Sequence, residues 1–183
     1  MKGFARREFQ LVLLRRMADY QPGLVEDAMR ALGATRTEMR QVNARWQRIV
    51  RSRAFPPGRR RHESVLGPPA VHEHRIGDVT CEIARWPALA LWPGLRFEVV
   101  TGPDGTLLRE WLVRDEHAPV PRLDTVDDLV PWSCVVGDVA GRFADVVHRV
   151  GDAPSRWQST ITTSGGTHVA HFVWGLLQTV ERS

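Results

Sequence analysis

The residues best placed to do chemistry in this chain lie between Arg36 and Arg61. Arg36, Thr37, Arg40, Gln41, Arg45, Arg48 and Arg51 recur at intervals of one to four positions along one predicted helix, and Arg59, Arg60 and Arg61 follow as a run. Arginine pairs bidentately with guanine, glutamine pairs with adenine, and threonine meets a base or a phosphate. At the amino-terminal end of the helix, Arg36, Thr37, Arg40 and Gln41 are therefore candidates for base readout. Arg45, Arg48 and Arg51 suit phosphates, which position a protein on the duplex without reading its sequence. The run Arg59–Arg61 would enter a minor groove or follow the phosphates.

A second set of candidates is scattered through the later part of the chain. His72, His74 and Cys81 are of the types that ligate zinc, but their spacing matches no metal motif. His168 and His171 would share a face only in a helix. A site holding a metal or cofactor is accordingly not expected. Ser164-Gly165-Gly166-Thr167 offers hydroxyls and amides to an anion, yet lacks the lysine and following helix of a phosphate loop. Trp86 and Trp92, flanked by prolines, would suit a groove for a peptide or small molecule. There is no nucleophile elbow, paired catalytic carboxylate or glycine-rich dinucleotide turn, so a non-enzyme is the expectation.

The elements that must position the arginines are readable from apolar spacing. Residues 4–18 predict a first helix, 24–32 a second and 36–51 a third, with Val25, Ala28, Met29 and Leu32 and then Met39, Val42, Trp46 and Ile49 on their inner faces. Gly33 ends the second helix, and Thr35 followed by Glu38 reads as a capping box that starts the third. Helix, glycine turn and capped basic helix form a helix-turn-helix pattern. Residues 54–69, with Pro56-Pro57-Gly58 and Pro68-Pro69, read as a linker.

Beyond residue 70 the periodicity becomes two. Val71–Ile76 and Val79–Trp86 predict a hairpin across Gly77-Asp78, pairing Ile76 with Val79, His74 with Cys81 and His72 with Ile83. Leu95–Thr101 and Thr106–Arg114 predict a second hairpin whose register no simple pairing settles. One helical turn is expected at Thr125–Leu129 and a helix at Gly137–Val150. Arg156–Thr163 and Thr167–Trp174 complete about six strands, with the tail from Gly175 extending the last strand or turning helical.

Charge divides along the same line. Residues 1–62 hold 15 Lys+Arg against 5 Asp+Glu, whereas residues 63–183 hold 10 against 16, within an overall net charge of +4. A basic part joined to an acidic part fits a nucleic-acid-facing module, or two halves that attract each other. The length of 183 residues, 43% hydrophobic composition and seven tryptophans predict a folded protein with a sizeable core. No apolar run is long enough to span a bilayer, and the amino terminus lacks the pattern of a signal peptide, so no membrane partner and a cytoplasmic location are expected.

These readings combine into an α+β fold. A basic helical module spans residues 1–53, a Pro/Arg-rich linker 54–69, and an acidic β-rich domain 70–183. The expected function is a sequence-specific, double-stranded-DNA-binding transcriptional regulator. Its second part would sense a ligand, mediate homodimerisation or contact a protein partner. The alternative is an accessory subunit that recruits a peptide or small molecule through the β-rich part, and behind it a small metal-dependent enzyme.

Overall fold

A computed structural model describes residues 4–54, 56–153 and 155–183. Residues 1–3, Phe55 and Pro154, which the stretches above include, lie outside the described residues. The chain is mixed α+β, with five α-helices and two antiparallel four-stranded sheets among the described residues. The helices are α1 (Arg6–Met17), α2 (Pro22–Ala31), α3 (Arg36–Arg51), α4 (Arg59–Leu66) and α5 (Val136–Arg142). Sheet 1 orders β1 (Ala70–Ile76), β2 (Val79–Trp86), β3 (Leu95–Thr101) and β4 (Leu107–Arg114) as a meander. Sheet 2 does the same with β5 (Val146–Val150), β6 (Arg156–Thr163), β7 (Gly166–Val173) and β8 (Leu176–Arg182).

Helix α1 is the hub of the larger core. Its consecutive residues Leu11, Val12, Leu13 and Leu14 are all buried. Successive helical side chains point about 100° apart, so four buried in a row close the whole circumference, as only an enclosed helix does. Phe9 meets Trp46 of α3, His62 of α4 and Phe97 of β3 at ring-centroid distances of 5.5, 5.8 and 4.9 Å. The same cluster of buried residues continues to Val135, Val173, Trp174 and Leu176 beside sheet 2. A smaller core, with Leu123, Leu129, Val139, Ile161, Phe172 and Leu177, lies between the inner face of sheet 2 and α5.

The two sheets are joined through a turn. Trp174 and Gly175, between β7 and β8, have φ of 52° and 76°. Two consecutive positive φ angles are what a type I′ two-residue hairpin requires. The Leu112 amide of β4 donates to the Trp174 carbonyl at 2.7 Å, and the Val136 amide of α5 donates to the Gly175 carbonyl at 3.1 Å.

The first hairpin has the register expected from the sequence, Ile76 with Val79, His74 with Cys81 and His72 with Ile83. The second carries an irregularity between Val100 and Thr101, which is why no single register sorted its faces. Four expectations are corrected. The described residues form eight strands rather than about six. The stretch 137–150 is helical only to Arg142, because Val146, Val147 and Val150 pair with Ile161, Thr160 and Trp157, where β-branched side chains pack well. The tail is strand β8, held to β7. Finally, Arg59–Leu66 within the Pro/Arg-rich stretch is a helix whose His62, Val65 and Leu66 are buried, so the arginine run is not a flexible arm.

Candidate nucleic-acid interface and the open sheet face

Helix α3 begins at Thr35, whose hydroxyl accepts the Glu38 amide at 3.1 Å. Only half of the expected capping box forms. The Glu38 carboxylate turns instead to Arg7 of α1, 2.7 Å away, and this guanidinium holds its carboxyl below the usual range. Arg7 also donates to the carbonyls of Leu32 and Gly33. One arginine thus ties α1 to the turn between α2 and α3, with Gly33 at φ 59° supplying the reversal.

Met39, Trp46 and Ile49 bury the inner face of α3. Arg36, Thr37, Arg40, Gln41, Ala44, Arg48 and Arg51 are exposed, so the candidate readers and phosphate contacts share the outer face. That face has no acidic side chain of its own, since Glu38 is the only acid in α3. Arg40, Arg48 and Arg51 have no carboxylate partner among the described residues, whereas Arg36 pairs with Glu26 of α2 at 3.2 Å. Glu26 and Asp27 are both exposed on α2; Glu26 thus borders this face, while Asp27 pairs with Arg30 of its own helix at 2.6 Å.

Several other arginines serve the fold. Arg45 is half-buried with its guanidinium 5.9 Å from the centre of the Phe4 ring. Arg59 pairs with Glu82 of β2 at 3.3 Å, Arg61 donates to the Val50 carbonyl at 3.5 Å, and Arg60 alone of the run is exposed. Arg6 clamps the carbonyls of Pro87 and Ala88, each at 2.7 Å. Basic side chains from the first third of the chain therefore hold the sheet half in place, alongside whatever they offer to a partner. Nothing in their spacing separated these from the outward arginines of α3.

The histidine candidates separate in space. His72, His74 and Cys81 share one face of sheet 1, but Cys81 is buried while both histidines are exposed. Among the described residues no group of three His, Cys, Asp or Glu side chains is arranged to hold a metal. His168 pairs with Ile161 and His171 with Gln158, placing them on opposite faces of β7. In the Ser164–Thr167 turn, the Thr163 hydroxyl accepts the Gly165 amide at 3.2 Å and the Gly165 carbonyl accepts Arg182, so both polar groups of the Gly165 backbone are used internally. Trp86 is fully buried, its indole donating to the Gly67 carbonyl at 2.7 Å, and Trp92 stacks edge-on to Trp132 in the core. Trp86 nonetheless borders a hollow of about 460 Å³ with Pro68, Pro69 and Pro87, whereas Trp92 packs into the core. Cys134 is buried, which pushes its thiol up to about 12 and makes it a poor nucleophile.

The feature that sequence reasoning missed is on the face of sheet 1 turned away from α1 and α4. Arg109 and Trp111 of β4 project there, with the guanidinium 5.2 Å from the Trp111 ring centre and 6.0 Å from that of Trp157 on β6. His148 of β5 bonds the fully buried Ser159 hydroxyl at 2.7 Å, and burial followed by the charge of Arg109 lowers its pKa from the ordinary 6.5. Alternation in β4 groups Arg109 with Trp111; the approach of Trp157 and His148 depends on how the two sheets dock.

No family model and no curated protein matches the chain. A solved structure titled as a "putative beta-lactamase inhibitor protein" from Streptococcus mutans overlaps 69% of this chain and 82% of that one, at 10% identity and a TM-score of 0.30. That likeness is too slight to carry fold or activity across.

Proposed function

We propose that the protein is a transcriptional regulator that binds double-stranded DNA, with α2, the Gly33 turn and α3 acting as a helix-turn-helix. The observation that carries this reading is the outer face of α3. Arg40, Gln41, Arg48 and Arg51 project from it, and Arg40, Arg48 and Arg51 lack carboxylate partners among the described residues. In this reading Arg36, Thr37, Arg40 and Gln41 meet base edges, Arg48 and Arg51 meet phosphates, and the two-sheet part carries a sensing or dimerisation role in the cytoplasm.

The test is a fluorescence-anisotropy titration of the whole protein with a duplex, over a range of salt. If Arg48 and Arg51 neutralise two phosphates, log K falls against log salt with a slope of about −1.8. Affinity then drops roughly 12-fold between about 50 and 200 mM salt. Replacing Arg48 and Arg51 together by alanine brings the slope close to zero. Absence of binding even at the lowest salt overturns the reading.

One observation favours a rival. Exposed Glu26 on α2 would face a phosphate backbone unfavourably, whereas an accessory subunit docking on a partner protein of mixed charge would accommodate it. In that case a pull-down recovers a stoichiometric protein, lost when Arg40, Arg48 and Arg51 are replaced, and duplex DNA does not compete for it.

A further inference from the structure

We propose that the outer face of sheet 1 and the adjoining surface of α5 form a binding site for a small amphipathic organic anion, with Arg109 as the anion-gripping group. Arg109 lines two neighbouring hollows. One, of about 390 Å³, is bounded by His72, His74, Ile83, Arg85 and Val100; the other, of about 380 Å³, is bounded by Trp111, Val136, Ala140 and His148. Each is within the range of small-molecule sites; apolar side chains make up most of the second lining, and arginine and histidine side chains most of the first.

The electrostatics specify the sign of the ligand. Glu98 is the one acid on either lining, and its two oxygens are already engaged, by Arg85 at 2.6 Å and by the Trp111 indole at 3.0 Å. Arg109 has no carboxylate or hydrogen-bond partner among the described residues. The Trp111 and Trp157 rings, 5.2 Å apart, shield its guanidinium from water while taking none of its five N–H donors. A partly desolvated cation with unused donors beside apolar walls is matched by a carboxylate, sulfonate or phosphate on an apolar body. His148 fits the same assignment: burial and Arg109 disfavour its cation, and an anion bound at Arg109 would restore it.

The test uses anilinonaphthalene sulfonate, a dye that combines apolar rings with a sulfonate, added to the full chain. Binding is read as dye emission excited through tryptophan. Arg109→Gln is expected to raise Kd about 10- to 100-fold, and Arg109→Lys to raise it less. On the unmodified protein, N-phenylnaphthylamine, which keeps the rings and lacks the sulfonate, is expected to bind at least about tenfold more weakly. This comparison needs no variant, so it stands even if Arg109→Gln does not fold. Dye binding should also raise the His148 pKa in an NMR titration. Equal affinity of the two dyes, or of the charged dye for Arg109→Gln and the unmodified protein, overturns the proposal. The site does not depend on the DNA reading and would hold in a protein that never meets nucleic acid.

Discussion

Gly175 offers a sharp test of how the two sheets are held together. A Cβ added there would lie 2.7 Å from the Leu112 carbonyl oxygen and 3.0 Å from the Trp111 Cβ, with φ at +76°. The nearer obstacle is backbone within a paired strand, so it cannot swing aside as a side-chain tip would. Gly33 provides the internal control: its φ is +59°, yet nothing lies within 4 Å of its added Cβ. Gly33→Ala should therefore cost only the left-handed conformation, about 1–2 kcal/mol. Gly175→Ala should cost that amount plus overpacking of about 1–3 kcal/mol, or roughly 2–5 kcal/mol in all. Urea unfolding followed by tryptophan fluorescence measures both, with near-ultraviolet circular dichroism reporting on Trp111 and Trp174 at the junction. If Gly175→Ala is no more destabilising than Gly33→Ala, the sheets do not meet through the Trp174-Gly175 turn as described.

Two more outcomes follow from paired charges. Asp138 of α5, its side chain only 4% exposed, accepts Arg114 at 2.7 Å and the Val135 amide at 2.9 Å. Replacing it by alanine leaves a partly buried cation unpaired and should cost about 3–5 kcal/mol in urea unfolding, whereas removing both partners as Arg114→Met with Asp138→Leu should cost less. A cost below about 1 kcal/mol for the single change would refute this. Asp104, Asp115, Asp128 and Glu38 all have pKa values lowered by hydrogen bonds, Asp115 first through the His117 amide and then through Arg96. A carboxyl depressed in the folded state contributes stability above its unfolded value, and that contribution is lost as pH falls through the folded value. The urea midpoint should therefore decline as pH drops below the ordinary values of 3.8 and 4.5, and Asp115→Asn should make that decline shallower. An unchanged decline would refute the role of Asp115.

Much of the local structure was legible because it rests on near-neighbour physics. Apolar residues at helical spacing bury Val25, Met29, Met39, Trp46 and Ile49, and the same spacing sends Arg40, Gln41 and Arg48 outward. Period-two alternation and a two-residue loop set the register of the first hairpin, since slipping by one residue would move every side chain to the other face. Elsewhere local pattern misled. Val139, Phe143, Val146, Val147 and Val150 satisfy a helical spacing, but Val146–Val150 gains more by pairing with β6 than a continued helix could offer. The Arg59–Leu66 stretch looked like a linker because its turn signals lie at its ends, while His62, Val65 and Leu66 are bought into helix by burial against α1 and sheet 1.

What the sequence determined by itself is the set of elements whose stability is decided within a few residues: α2, the Gly33 turn, the Thr35 cap, α3 and the β1–β2 hairpin. What only the tertiary structure decided is which charges are used up internally and which face outward. Arg6, Arg7 and Arg59 cannot be told from Arg40 and Arg48 by residue type or spacing, because their partners lie 81, 31 and 23 positions away. The same distance in sequence hid the meeting of Arg109 and Trp111 with Trp157 and His148. A hydrogen bond or a stacked cation depends on separation in space, and for these groups that separation exists only once both sheets have folded and docked.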